Sequence, residues 1–281
     1  MILQPKRAAF RYYGGKWKLA DWVIKYFPAH SFYVEPFGGG ASILLKKPYC
    51  KSEIYNDLDG EVVNYFRVLR NADAAAELKK ALELTPFARD EYAAAYLPAP
   101  ADDEVEKARK FFIKTMMGWG TRGSDGMKAF RTHRGVDGEG VVATDFVNYP
   151  QHIPSFTARL RTVVIENRPA EEVIQLHDGK KVLFYCDPPY LPETRTAGTG
   201  QYKYEMTESG HVALAAILLN LKGYVVLSGY PSDMYSALYG TAGWHMATKT
   251  HHTEQAQKRT ECLWLSPRTY KALRQQSGTL F

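Results

Sequence analysis

Apolar positions along the chain follow two different rhythms. Leu19, Val23 and Tyr26 recur at helical spacing between Lys16 and Phe27, and Pro28 follows where a helix would stop. Phe32-Tyr33-Val34, inside Ser31 to Pro36, is instead a short continuous apolar run and predicts a buried strand. The glycines Gly38-Gly39-Gly40 then lead into Ala41-Ser42-Ile43-Leu44-Leu45, a predicted helix. Glu53-Ile54-Tyr55 predicts a second short strand, and Val62, Val63, Phe66 and Leu69 line one face of the helix after it.

From about Asp73 to about Val163 the pattern changes. Alanine-rich amphipathic helices dominate, among them Val105 to Met117, and a glycine-rich, charged stretch runs from Gly118 to Gly140. A long polar loop within a compact domain is usually functional or unstructured. Residues 73–162 are therefore expected to form a second domain, set between 1–72 and 163–281 of the first. Strand and helix alternate again from Val163-Val164-Ile165 onward. Pro169 takes the expected first helical position, with Glu171 and Glu172 in the first turn. Lys181 to Cys186 is an apolar strand that ends in Asp187-Pro188-Pro189-Tyr190. A helix from about Glu208 to Leu221 closes at Gly223, the place of a C′ glycine. Tyr224 to Ser228, Trp244 to Lys249 and Glu261 to Leu265 complete the strands. The alternation indicates an α/β fold with an open, mainly parallel sheet.

Composition narrows the class. The 281 residues contain no apolar run long enough to span a membrane, and Met1-Ile2-Leu3-Gln4-Pro5-Lys6-Arg7 lacks a signal-peptide core. Cys50, Cys186 and Cys262 are too few and too scattered for a disulfide framework or a zinc site. A reducing, cytoplasmic setting and no metal are expected. The net charge of +6, with small basic clusters at Arg7 to Lys18 and Arg122 to Arg134, suits a polyanionic partner and equally a solvated basic face.

Three segments carry candidate chemistry. A strand that turns through Gly38-Gly39-Gly40 into a helix brings backbone N–H groups close to a ligand. About twenty residues on, Asn56-Asp57 ends the second strand, where a carboxylate can accept both hydroxyls of an adenosine ribose. A tight turn with a helix cap would use the same residues. Ile43 stands where the dinucleotide fingerprint has its third glycine, and no lysine and Ser/Thr pair follows the glycines, so neither that motif nor a P-loop fits. Asp187-Pro188-Pro189-Tyr190 lies at the carboxyl end of a strand, where open sheets place their sites. Its prolines leave carbonyls as pure acceptors beside the Asp187 carboxylate, an arrangement suited to an –NH₂ group, and Tyr190 offers a ring to a planar base. An ordinary proline turn is the plainer alternative. Finally, Tyr12-Tyr13-Gly14-Gly15-Lys16 could border a ligand or simply start a helix.

Together these segments resemble the Dam-like class of adenine-specific DNA methyltransferases, in the alpha motif order. The matching runs are Tyr13 to Lys16, Glu35 to Ala41, Asn56-Asp57 and Tyr185 to Tyr190, with Leu227 to Tyr230 and Arg259 to Leu265. The resemblance implies a Rossmann-like, S-adenosyl-L-methionine (AdoMet)-dependent methyltransferase sheet with an inserted, mainly helical target-recognition domain. It implies that Lys16, with Tyr12, Tyr13 and Gly15, borders the methionine end of AdoMet. Glu35, Pro36, Phe37, Gly38, Gly40, Ala41 and Ser42 would line the cofactor, and Asn56 and Asp57 would hold its ribose. Glu166-Asn167 stands where many relatives carry an Asp-Phe pair near the cofactor adenine, and Tyr12 stands where many carry tryptophan. Asp187 would serve both the cofactor side and the target amine, with Pro188 and Pro189 shaping the turn and Tyr190 stacking on a flipped base. Arg122, Lys128, Arg131 and Arg134 are the candidate contacts to DNA. A monomer that methylates adenine at a specific or relaxed site follows, in restriction-modification or another role. Methylation of RNA adenine or of a protein amide, a DNA-binding module without catalysis, and a nicotinamide-dependent oxidoreductase are the competing readings.

Overall fold

The computed structural model describes residues 4–97, 103–119, 127, 129–132, 142–191, 194, 202–252 and 258–277. Its strands are β1 (Phe32–Glu35), β2 (Ser52–Asn56), β3 (Val163–Glu166), β4 (Val182–Cys186), β5 (Tyr224–Gly229), β6 (His245–His252) and β7 (Lys258–Leu265). They form one seven-stranded sheet in the order β3-β2-β1-β4-β5-β7-β6. The first five strands are parallel, and β7 runs antiparallel between β5 and β6. The order reverses between β1 and β4, so the crevice outside their carboxyl ends is the expected ligand site.

The helices are α1 (Ala20–Ile24), α2 (Ser42–Lys46), α3 (Gly60–Arg70), α4 (Ala72–Glu83), α5 (Arg89–Ala94), α6 (Glu104–Met117), α7 (Val142–Val147), α8 (Ile153–Leu160), α9 (Ala170–Leu176), α10 (Glu208–Leu218), α11 (Asp233–Tyr235) and α12 (Pro267–Ser277). Successive strand residues point to opposite faces, and here both faces are apolar. Val34, Ile54, Phe184 and Leu227 pack with Val173 of α9 and Leu214 of α10. Their neighbours Tyr33, Tyr55, Tyr185 and Val226 pack with Val23 of α1, Leu44 of α2 and Phe66 of α3. This two-sided burial explains why the parallel strands read as continuous apolar runs rather than alternating ones.

The central helices share that second core. Phe111, Phe112 and Met116 of α6 and Phe156 of α8 belong to the same apolar cluster as Tyr33 and Leu183 of the sheet. Phe10 links them, its ring 4.9 Å from Phe111 and 5.2 Å from Tyr65.

Several local expectations change. The helix expected over Lys16 to Phe27 is reduced to α1, because Lys16 to Leu19 forms a turn that carries the lysine out of the helix. Pro169 caps α9 from outside. Gly223 is not a left-handed cap: among the described glycines only Gly14, Gly39 and Gly243 have positive φ. A Cβ on Gly223 would meet the Val182 carbonyl at 2.9 Å and the Phe184 ring at 3.0 Å, so close approach to β4 demands the glycine. The β6–β7 ribbon is longer than expected and continues past its last rung with β5, Gly229↔Cys262. No helix among the described residues is long and apolar enough to cross a membrane.

Candidate active site

The turn after β1 is shaped by two tyrosines. A Cβ on Gly38 would run into the Tyr55 ring, and one on Gly39, where φ is +46°, would meet the Tyr12 ring at 2.6 Å. Tyr55 Oη also donates to the Gly39 carbonyl at 2.8 Å. The glycines therefore make room for side chains of the protein itself as well as for a ligand. Ala41, with φ of 51°, completes the turn and caps α2. Non-glycine residues in this region store strain and cluster at ligand clamps. Glu35 points under the turn, where Oε2 accepts the Tyr33 hydroxyl at 2.7 Å and the Leu44 N–H at 3.0 Å. Burial pushes its carboxyl up to about 8, against the pull of those two donors.

Asn56 joins the ends of three strands. Its Nδ2 donates to the Pro36 carbonyl at 2.8 Å and the Arg168 carbonyl at 3.0 Å, and its Oδ1 accepts the Arg168 N–H at 3.0 Å. Asp57 follows with each oxygen already oriented, Oδ2 by the Gly39 N–H at 2.7 Å and Oδ1 by the Asp59 N–H at 2.8 Å. Burial raises its carboxyl to about 6, although those N–H groups favour the charged form. The lone pairs left on this fixed carboxylate can take vicinal hydroxyls.

The opposite end of the crevice is ionic. Tyr12 folds across Gly40, and Gly14 (φ +72°) turns the chain so that Lys16 enters the site. Lys16 Nζ lies 3.5 Å from Asp187 Oδ1, 3.4 Å from Glu261 Oε1 and 3.3 Å from the Gly14 carbonyl. Burial alone would lower the lysine pKa; Asp187 and Glu261 more than reverse it, and the ammonium is held above its ordinary value. Burial raises the Asp187 carboxyl, with Lys16 opposing. Tyr190 is buried beside them. The Lys16 ammonium caps its ring at 4.6 Å, Tyr230 packs edge-on at 4.7 Å, and its hydroxyl donates to Glu261.

Between these ends lies a cavity of about 340 Å³, within the range of small-molecule sites. Tyr12, Tyr13, Gly15, Lys16, Glu35, Pro36, Phe37, Gly38, Gly40, Ser42, Asn56, Asp57, Asp187 and Pro189 all line it. Ala41, Glu166, Asn167, Pro188 and Tyr190 do not. Asn167 instead donates to the Asp57 and Leu58 carbonyls, Glu166 pairs with Arg168 at 3.6 Å, and the rim beyond β3 is made by Arg168, Pro169, Ala170 and Glu171.

Two features were not picked out from sequence. Residues 202–207 form a strap over the cavity, held by the Tyr202–Tyr13 ring contact at 5.0 Å and by Lys203 Nζ, 3.2 Å from Asp59. Glu261 lies in β7 where the polar start, Lys258-Arg259-Thr260, gives way to the apolar Cys262-Leu263-Trp264-Leu265; the sequence showed it only as part of the matching run Arg259 to Leu265, with no role attached.

Of the candidate DNA contacts, Arg122, Lys128 and Arg134 lie outside the described residues. Arg131 sits on a short ribbon that leaves α6, made by the Trp119 N–H to Ala129 carbonyl and Arg131 N–H to Met117 carbonyl bonds. Its guanidinium lies 5.9 Å from the ring of Trp119, which is 48% exposed. Among the described residues no group of three or more His, Cys, Asp or Glu is placed to hold a metal ion.

Residues 12–254 match the model of the D12 class N6 adenine-specific DNA methyltransferase family. The chain is 21% identical over 262 residues to a DNA adenine methylase of Salmonella typhi, a match covering 89% of this chain and 87% of that protein. A shorter match, 26% identical over 65 residues, links 23% of the chain to 8% of a DNA N-6-adenine-methyltransferase of Escherichia phage P1.

Proposed function

The chain belongs to the D12 class of N6 adenine-specific DNA methyltransferases, and we propose that it transfers a methyl group from AdoMet directly to the exocyclic amine of adenine in DNA. One observation carries the reading. A single cavity at the β1/β4 switch point joins an oriented carboxylate, Asp57, to a lysine-paired carboxylate, Asp187.

The donor set fits the cofactor. Asp57 is fixed to accept two ribose hydroxyls, and Asp187 offers an acidic partner to the cationic methionine end. When bound, AdoMet supplies an electrophilic methyl group, so no covalent enzyme intermediate is required. Asp187 and the Pro188 carbonyl accept the two N–H groups of the target amine, which leaves its lone pair directed away from them and toward the cavity. Lys16 keeps Asp187 anionic for this task. The rate gain is then positioning and electrostatics. A paired adenine cannot reach a site this recessed, so the base leaves the duplex at a cost of a few kcal/mol. In this reading residues 73–162 recognise the target, with Trp119 and Arg131 against the DNA. The three free cysteines suit a reducing, cytoplasmic setting.

The test is to incubate the protein with AdoMet and unmethylated duplex DNA, digest the DNA, and identify nucleosides by mass spectrometry. N6-methyladenine is expected from the wild type and none from a folded Asp187→Ala variant. Methylation confined to RNA or protein, or persisting without Asp187, would overturn the reading.

A further inference from the structure

Glu261 has no assigned part in the chemistry, yet it lies at its centre. The residue stands one position past the last rung between β5 and β7, Gly229↔Cys262. The antiparallel strand thus delivers it to the same carboxyl edge as the turn after β4. Its side chain is 2% exposed, and a buried carboxylate is costly unless it is paired. The partners found are the Lys16 ammonium and the Tyr190 hydroxyl, each of which also bears on Asp187. One lysine is therefore shared between two acids, and one tyrosine is tied back by the acid that does not face the cavity.

We propose that Glu261 is a positioning residue for methyl transfer, which shares Lys16 with Asp187 and anchors Tyr190 so that the Asp187 carboxylate stays open to the target amine. The proposal rests on the reading of Asp187 as the amine acceptor. With Glu261 neutral, Lys16 would have one counter-charge left and would close on Asp187, occupying the acceptor that the amine needs.

The charge of Glu261 also acts on Asp187 directly. Asp187 faces Lys16 and Tyr190, Glu261 from β7, Glu35 from β1, and the phenols of Tyr185 and Tyr235. Among these, Glu261 disfavours the ionised form of Asp187 and Lys16 favours it. Removal of the Glu261 charge therefore lowers the Asp187 pKa.

The experiment compares Glu261→Gln and Glu261→Asp with the wild type for kcat and KM on duplex DNA from pH 5 to 9. AdoMet dissociation constants and thermal melting are measured beside them. Glu261→Gln, which keeps the shape and an acceptor for Tyr190, is expected to melt and to bind AdoMet like the wild type. Its kcat should fall about tenfold or more, with the acid limb of the kcat profile moved to lower pH. Glu261→Asp, which keeps the charge, should return that limb toward the wild-type position. Wild-type kcat with an unmoved limb in Glu261→Gln overturns the proposal, as does a loss confined to AdoMet binding or to melting temperature. Adenine methylation that survives Asp187→Ala strikes at the underlying reading instead, which keeps the two failures apart.

Discussion

Arg159 and Glu53, 106 positions apart in the chain, meet with Nη1 2.6 Å from Oε2, both side chains closed to solvent. Arg159 also reaches the Leu44 carbonyl, and Lys47 holds the other Glu53 oxygen at 2.5 Å. The pair joins α8, at the end of the central helices, to β2 beneath the candidate site. Such a pair adds little over an apolar replacement of both partners, but removal of one partner strands the other charge.

Arg159→Ala should therefore destabilise the protein by about 3–5 kcal/mol, read as a lower midpoint in urea unfolding. A change below about 1 kcal/mol, the size of a surface substitution, would show that Lys47 alone satisfies Glu53.

Asp57 predicts a pH limit on cofactor binding. Its carboxyl sits at about 6 in the free protein, and only the ionised form accepts both ribose hydroxyls. AdoMet affinity should be flat above that value and fall by up to about tenfold per unit below it. Titration calorimetry from pH 5 to 8 checks this, with Asp57→Asn expected to bind weakly and without the limb. A dissociation constant independent of pH would remove Asp57 from the ribose contact.

Glu35 predicts a stability effect of opposite sense to an ordinary salt-bridged acid. Its folded pKa, about 8, lies above the ordinary glutamate value of 4.5, so the folded state binds the extra proton. This contribution is fully present below the unfolded pKa and is lost as pH rises through about 8. Glu35→Gln cannot lose it. Relative to the wild type, the cofactor-free variant should gain on the order of 2 kcal/mol between pH 6 and pH 9, measured by denaturant unfolding. Parallel pH curves for the two proteins would contradict this.

Arg131 predicts a phosphate-type contact. Arg131→Ala should weaken duplex binding about equally for different sequences and reduce the slope of log K against log salt by about 1. Loss restricted to one sequence would make it a base reader, and unchanged binding would take the ribbon out of the interface.

Much of the sheet was legible in the chain because the parallel strands are buried on both faces and appear as apolar runs such as Leu183-Phe184-Tyr185. The residues that line the cavity were also largely legible, since β1, β2 and β4 each end directly in a polar motif. Less visible were contributions from residues distant in sequence. Glu261 reaches the site through strand order, Lys203 through an ion pair with Asp59, and neither follows from local spacing. The reason for Gly223 was misread because helix closure and close approach to a strand both select glycine.

The overhang of β7 has a consequence for synthesis. Lys16 and Asp187 leave the ribosome well before Glu261 does, so a nascent chain would hold that ion pair without the second acid that shares the lysine. Until the final ribbon docks, β5 is also a bare sheet edge, open to pairing with another chain. Emergence of β7, closure of the sheet and arming of the site would thus be a single event, and products cut short before β7 should be both inactive and prone to aggregate.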